Sequence, residues 1–210
     1  MRITKIPLQV AESAMSIFGI RVGTEEPHYI RTPVGDGVEL RQYGPRIAAE
    51  TTVVSRDEEL ARSIGFRKLA RYIFGGNHRE EAISMTAPVA QQAGRAGDDI
   101  AMTAPVAQSR ASDDRWTIRF FMPSKWTMDT LPAPDDDDVA LVTVPGETVA
   151  VLRFSGDRGS AAVAAHTETL VKALHDKGIE IVGDPVAWFY DPPWTLPFLR
   201  RSEIAVPVRR

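Results

Sequence analysis

The sequence predicts an α+β fold: one antiparallel sheet, curved or closed into a barrel, with two helices packed against it. Three observations carry this reading. Short segments of alternating apolar and polar residues, bounded by Gly, Pro and Asp, recur along the chain and read as strands. Two longer stretches, one in each half, repeat their apolar residues at helical spacing. Each half therefore reads strand–helix–strand–strand, without the alternating βαβ order that builds a parallel sheet. The two halves suggest an internal duplication of low sequence identity.

At 210 residues, 43% hydrophobic and 25% charged, the chain has the make-up of a globular protein long enough for one well-buried domain. Lys and Arg number 25 against 28 Asp and Glu, and 25 − 28 = −3 leaves no basic excess to hold a phosphate backbone. Nucleic acid is not an expected partner. With no cysteine, disulfides, thiolate metal sites and a Cys nucleophile are excluded. Residues 1–23 are expected to form an amphipathic segment, with Leu8, Met15, Phe18 and Val22 on one helical face, docked on a single domain of residues 24–210. The apolar run from Ile6 to Val22 is interrupted by Gln9, Glu12 and two serines, too short to cross a bilayer, and without a clear signal-peptide cleavage pattern. The expected location is the cytoplasm, with no stable membrane insertion.

The first strands are expected at Tyr29 to Thr32 and Val38 to Tyr43, joined by a tight turn at Gly35-Asp36-Gly37. Gly44-Pro45 breaks the run, and Ile47 to Val54 resumes it. Ser55, with Glu58 three residues on, is expected to cap the first helix, whose apolar residues Leu60, Ile64, Leu69, Ile73 and Phe74 recur at helical spacing until Gly75-Gly76 ends it. One phrase then occurs twice, Ile83-Ser84-Met85-Thr86-Ala87-Pro88-Val89 and Ile100-Ala101-Met102-Thr103-Ala104-Pro105-Val106, separated by Gly- and Asp-rich residues. Residues 83–108 are therefore expected to form a β-hairpin, each arm interrupted near its proline. Met85 and Met102 either pack a core or line a cavity at this irregular backbone. Trp116 to Pro123, Val139 to Val144 and Thr148 to Phe154 follow as strands. A second helix starts near Ser160, with Val163, Leu170 and Leu174 on one face and Gly178 at its end. Ile179 to Val182, Val186 to Tyr190 and Glu203 to Val208 complete the sheet.

No phosphate loop, Gly-x-Ser-x-Gly elbow or His-Glu-x-x-His helix is present, and no catalytic constellation emerges. Four consecutive aspartates, Asp135 to Asp138, read as a solvated loop, because adjacent carboxylates do not converge as calcium ligands do. His166 sits on the apolar face of the second helix and reads as a partly buried, satisfied histidine. Trp188 to Leu199 is too apolar and proline-rich for an ordinary loop. It either forms a flap over an apolar groove, with Arg200, Arg201, Arg67, Lys68 and Arg71 at the rim, or folds back to plug the barrel.

The phrase Val38-Glu39-Leu40-Arg41-Gln42-Tyr43-Gly44-Pro45, the run Gly65 to Asn77, both Met-Thr-Ala-Pro-Val copies, Arg119 to Pro123, Phe154-Ser155-Gly156 and Tyr190 to Arg201 occur in order along the chain. Together they make it resemble the SOUL heme-binding proteins from about Glu25 to Val208. The resemblance implies a distorted antiparallel β-barrel built from two βαββ units with two flanking helices. It also implies reversible, non-enzymatic binding of heme or a related tetrapyrrole in an apolar groove beside the first helix, for buffering or transport. The alternatives are a tetrapyrrole-modifying enzyme and a protein-interaction module using residues 188–199. On this resemblance Leu60, Ile64 and Leu69 are the expected ring contacts, and Arg67, Lys68 and Arg71 face the propionates. Gln42, Met85, Met102 and Trp194 complete the expected site. In a heme-coordinating branch of the family the residue before Tyr-Gly-Pro is histidine; here it is Gln42, a poor iron ligand.

Overall fold

A computed structural model describes residues 25–93, 114–191 and 194–209. The elements run β1 (Tyr29–Gly35), β2 (Val38–Tyr43), β3 (Arg46–Val54), α1 (Glu58–Ile73), β4 (Val89–Ala93), β5 (Arg115–Phe121), β6 (Ala140–Val144), β7 (Glu147–Phe154), α2 (Ser160–Asp176), β8 (Glu180–Ile181), β9 (Val186–Phe189), a 3₁₀ turn at Pro197–Leu199, and β10 (Ser202–Arg209). The expected N-terminal segment and the second Met-Thr-Ala-Pro-Val copy, with Met102, lie outside the described residues.

The ten strands form one antiparallel sheet in the order β1-β2-β7-β10-β9-β4-β5-β3-β6, with β8 added beside β10. The order is symmetric about the β9·β4 pair: β7, β10 and β9 on one side match β3, β5 and β4 on the other. Each helix follows the outermost strand of its own trio, α1 after β3 and α2 after β7. The β1–β2 hairpin turns through Gly35, Asp36 and Gly37, all at positive φ, which is why two of the three are glycine.

Side-chain alternation sorts the core into three clusters. Ala150, Leu152 and Phe154 of β7 and Ile204, Val206 and Val208 of β10 point to one face, where Leu170 and Leu174 of α2 cover them. Ile118 and Phe120 of β5 meet Leu69, Tyr72 and Ile73 of α1 in the same way. The intervening residues Val149, Val151, Ala205 and Phe121 face the concave side, where the curled sheet packs on itself with Tyr43, Trp188 and Tyr190. Each wholly buried Leu or Ile contributes about 1.5–3 kcal/mol by removal from water.

Three expectations are corrected. The cap of α1 is Asp57, whose carboxylate accepts from the Glu59 and Leu60 N–H groups; Ser55 sits outside the helix and accepts from Asp57 N at 3.1 Å. The hairpin expected over 83–108 is not what the first copy makes. Strand β4 starts only at Val89, after Pro88, and both its edges are taken, by β5 and β9. The stretch from Trp188 to Leu199 is not one flap. Trp188 and Phe189 end β9 and, with Tyr190, are buried, whereas Trp194 and Phe198 are 58% and 71% exposed. The aspartate run is a surface loop, in which Asp138 pairs with Lys68.

Candidate functional site

At about 100° per residue, Leu60, Ile64, Arg67, Lys68 and Arg71 of α1 fall within an arc of about 100°, and Leu69 is roughly opposite. Burial follows that geometry. Leu60 is half exposed, Arg67 and Arg71 are exposed, and Ile64 and Lys68 flank them. Leu69 is wholly buried in the core and offers no surface to a ligand. Lys68 is held by Asp138, so it is not a free counter-ion. Met85 is partly buried against the α1 cluster.

Gln42 is placed elsewhere. It alternates with Val38 and Leu40, so it belongs to the α2 face of the sheet, and it lies opposite Thr148. Phe154, where the chain reaches the 194–199 segment, is six residues further along β7, about 20 Å away. The structure therefore does not bring Gln42 together with the α1 stripe or with Trp194.

A different set of cations converges where α1, the Ser155–Gly159 loop and the 191–200 segment meet. Arg62 of α1 lies with its guanidinium 4.4 Å from the centre of the Phe189 ring and donates from Nη1 to the Arg158 carbonyl at 3.3 Å. Arg158 lies 5.8 Å from the same ring and donates from Nη1 to the Asp191 carbonyl at 3.0 Å. Arg200 donates from Nε to the Thr195 carbonyl at 2.7 Å, and Gly156 N donates to the Pro197 carbonyl at 2.9 Å. Phe189 belongs to the cluster under α2, so Arg62 links α1 to the edge of that cluster. Burial first, then the like charges of Arg62 and Arg200, push Arg158 down to about 10. Among the described residues no carboxylate lies within ion-pair distance of Arg62 or Arg158, although Glu58 and Glu59 favour the charge of Arg62 and Asp191 that of Arg158. Trp194, Leu196, Phe198 and Leu199, on the segment that these contacts hold beside the arginines, are at least a third exposed.

The base of the segment is fixed from inside. Glu203, wholly buried, accepts from Arg41 Nη1 and Nη2 at 2.6 and 2.9 Å, from Tyr190 OH at 2.7 Å and from Arg201 Nε at 2.8 Å. Arg201 donates its backbone N–H to Asp191 at 2.6 Å and pairs through Nη1 with Glu26 at 3.0 Å. Burial alone would raise the Glu203 carboxyl. The hydrogen bond and charge of Arg41, then Arg201, outweigh it and hold the group below its ordinary value. Burial, and then the Glu203 charge, push the Tyr190 hydroxyl well up.

The arrangement can do two things: offer apolar contact from residues 194–199 and neutralise an anion with guanidinium groups. Those are the two demands of a tetrapyrrole, an apolar ring bearing propionates. Sequence reasoning named Trp194 and Arg200 but missed Arg62 and Arg158. Their only sequence signal is a basic residue beside an apolar run, which is common.

A model of the family described as SOUL heme-binding protein matches residues 24–207. Heme-binding protein 2 of Mus musculus is 30% identical over 166 residues, spanning 79% of this chain and 74% of that one. Heme-binding protein 2 of Homo sapiens is 32% identical over 146 residues, spanning 70% and 65%. Among solved structures, the EcmrR C-terminal domain superposes with a TM-score of 0.53 at 13% identity, covering 87% of this chain and 98% of that domain. An uncharacterized conserved protein from Listeria innocua gives 0.55 at 10%, covering 96% and 98%. These two likenesses show the fold alone.

Proposed function

The chain belongs to the SOUL heme-binding protein family, and from that membership we propose that it binds heme or a related tetrapyrrole reversibly in the groove between α1 and the 194–199 segment. The observation that carries the location is the convergence of Arg62, Arg158 and Arg200 beside the segment that bears exposed Trp194, Phe198 and Leu199. The guanidinium groups would hold the propionates, and the apolar side chains would cover the ring face. The α1 stripe of Leu60, Ile64, Arg67 and Arg71 lies on the outward side of the same helix, as the alternative bed for the ring.

The role is taken as carriage or buffering in the cytoplasm rather than catalysis, and the ligand as a small molecule rather than nucleic acid. The relatives are named as binding proteins, the chain carries a net −3 charge, and no described helix is long and apolar enough to cross a membrane. A bound heme whose absorption stays unchanged over hours is the outcome this role requires.

The test is a paired titration with hemin and iron-free protoporphyrin, followed by tryptophan quenching. Hemin is expected to saturate at micromolar or tighter affinity, about −8 kcal/mol. With ring contact and propionate pairing as the main contributions, protoporphyrin is expected within about tenfold, or 1.4 kcal/mol. Gln42→His, about 20 Å along the sheet from the groove, is expected to change neither curve. A much larger preference for hemin would require an iron ligand, and His166, stacked on Phe154 at 4.2 Å, would be the first to replace. Linear quenching, matched by an unrelated protein, would remove heme from the account.

A further inference from the structure

Arg62 and Arg158 are each tethered to the protein through one nitrogen. Arg62 Nη1 donates to the Arg158 carbonyl at 3.3 Å, and Arg158 Nη1 donates to the Asp191 carbonyl at 3.0 Å. Among the described residues neither guanidinium makes another hydrogen bond to protein. Asp191 joins this pair to the interior. It is buried where β9 and β10 part, and its Oδ2 accepts the Arg201 N–H at 2.6 Å. The Arg201 side chain is fixed in turn. Glu203 accepts from its Nε at 2.8 Å, both oxygens of Glu26 accept from its Nη1 at 3.0 and 3.1 Å, and its guanidinium lies 3.8 Å from the centre of the Tyr190 ring. An unbroken series of contacts therefore runs from buried Glu203 through Arg201, Asp191 and Arg158 to Arg62.

A guanidinium held at one nitrogen keeps its place, and the rest of its fork remains for an anion. A side chain ordered before a ligand arrives also loses less freedom when the ligand binds. Here the tether of Arg158 is a main-chain carbonyl, and the direction of that carbonyl depends on the Asp191 side chain. Without the carboxylate, the Arg201 N–H lacks its acceptor and the peptide after Asp191 is free to turn. The carbonyl then leaves Arg158, and the tether of Arg62 is loosened with it.

We propose that Asp191 is a positioning residue for the tetrapyrrole, holding Arg158, and through it Arg62, ready for the propionates. This rests on the tetrapyrrole reading above. The test is a hemin titration, followed by heme absorbance, of the full wild-type chain, Asp191→Ala, Asp191→Asn, Arg158→Gln and the Asp191→Ala/Arg158→Gln double variant. Asp191→Ala is expected to weaken hemin by about tenfold. Asp191→Asn keeps a side-chain carbonyl to accept the Arg201 N–H and is expected to restore most of that loss. In the double variant, Asp191→Ala is expected to weaken hemin by no more than about twofold beyond Arg158→Gln, because the guanidinium it places is gone. A merely structural role would make the two losses additive, and additive losses would overturn the proposal. A loss in folded Asp191→Asn as large as that in Arg158→Gln would overturn it too, whether or not Asp191→Ala folds. Saturable wild-type binding that Asp191→Ala leaves unmoved would overturn the inference alone; unsaturable wild-type binding would remove the tetrapyrrole reading and the inference together.

Discussion

Glu203 ties β10 to β2 and to the base of the 191–200 segment through Arg41, Tyr190 and Arg201. Glu203→Gln keeps the shape but leaves Arg41, 3% exposed, facing a neutral amide. The expected loss is about 3–5 kcal/mol, read as a lower urea midpoint at unchanged m. The pH dependence follows from the sign of the shift. The folded carboxyl titrates below its ordinary 4.5, so its contribution is complete above that value. It is lost as pH falls through the lower folded value, and Glu203→Gln should lack that part of the acid transition. None of this network was legible in the sequence. Arg41 and Glu203 each read as one polar residue in a strand, and 162 positions separate them.

The helix α1 was found by its apolar spacing, yet its details were decided by contacts that spacing does not encode. Asp57 took the cap from Ser55 because its carboxylate reaches two free N–H groups at 2.9 and 3.0 Å. Gly65 has a tertiary reason to be small: a Cβ there would come within 2.8–2.9 Å of Ile118, including its branched Cβ. Gly65→Ala gains up to about 1 kcal/mol in helix propensity. The overlap is expected to outweigh that gain, for a net loss of about 1–2 kcal/mol in denaturant unfolding. A stabilised variant would show that α1 can ride away from β5. The first arm of the expected hairpin differs for a related reason, and the second arm lies outside the described residues. Repeated strand-like phrases look like partners, but pairing is settled by which edges remain open, and at Val89–Gln91 both edges of β4 are taken, by β5 and β9.

The α+β class and the two helices, with nearly every strand, were legible because alternation and helical spacing are local properties. The sheet order and the groove were not, since they depend on how β9 meets β4 and brings α1 beside the Ser155–Gly159 loop. Arg62 and Arg158 are 96 positions apart and meet only through that docking. The basic residues that were legible, Arg67 and Arg71, lie on the outward side of α1 instead. This separation allows a decisive comparison: hemin affinity of the Arg62→Gln/Arg158→Gln pair beside that of the Arg67→Gln/Arg71→Gln pair. If propionates are neutralised in the groove, the first pair should weaken hemin by about tenfold or more while the second stays near wild type. Weakening confined to the second pair, or absent from both in folded protein, would contradict the placement of the tetrapyrrole between α1 and the 194–199 segment.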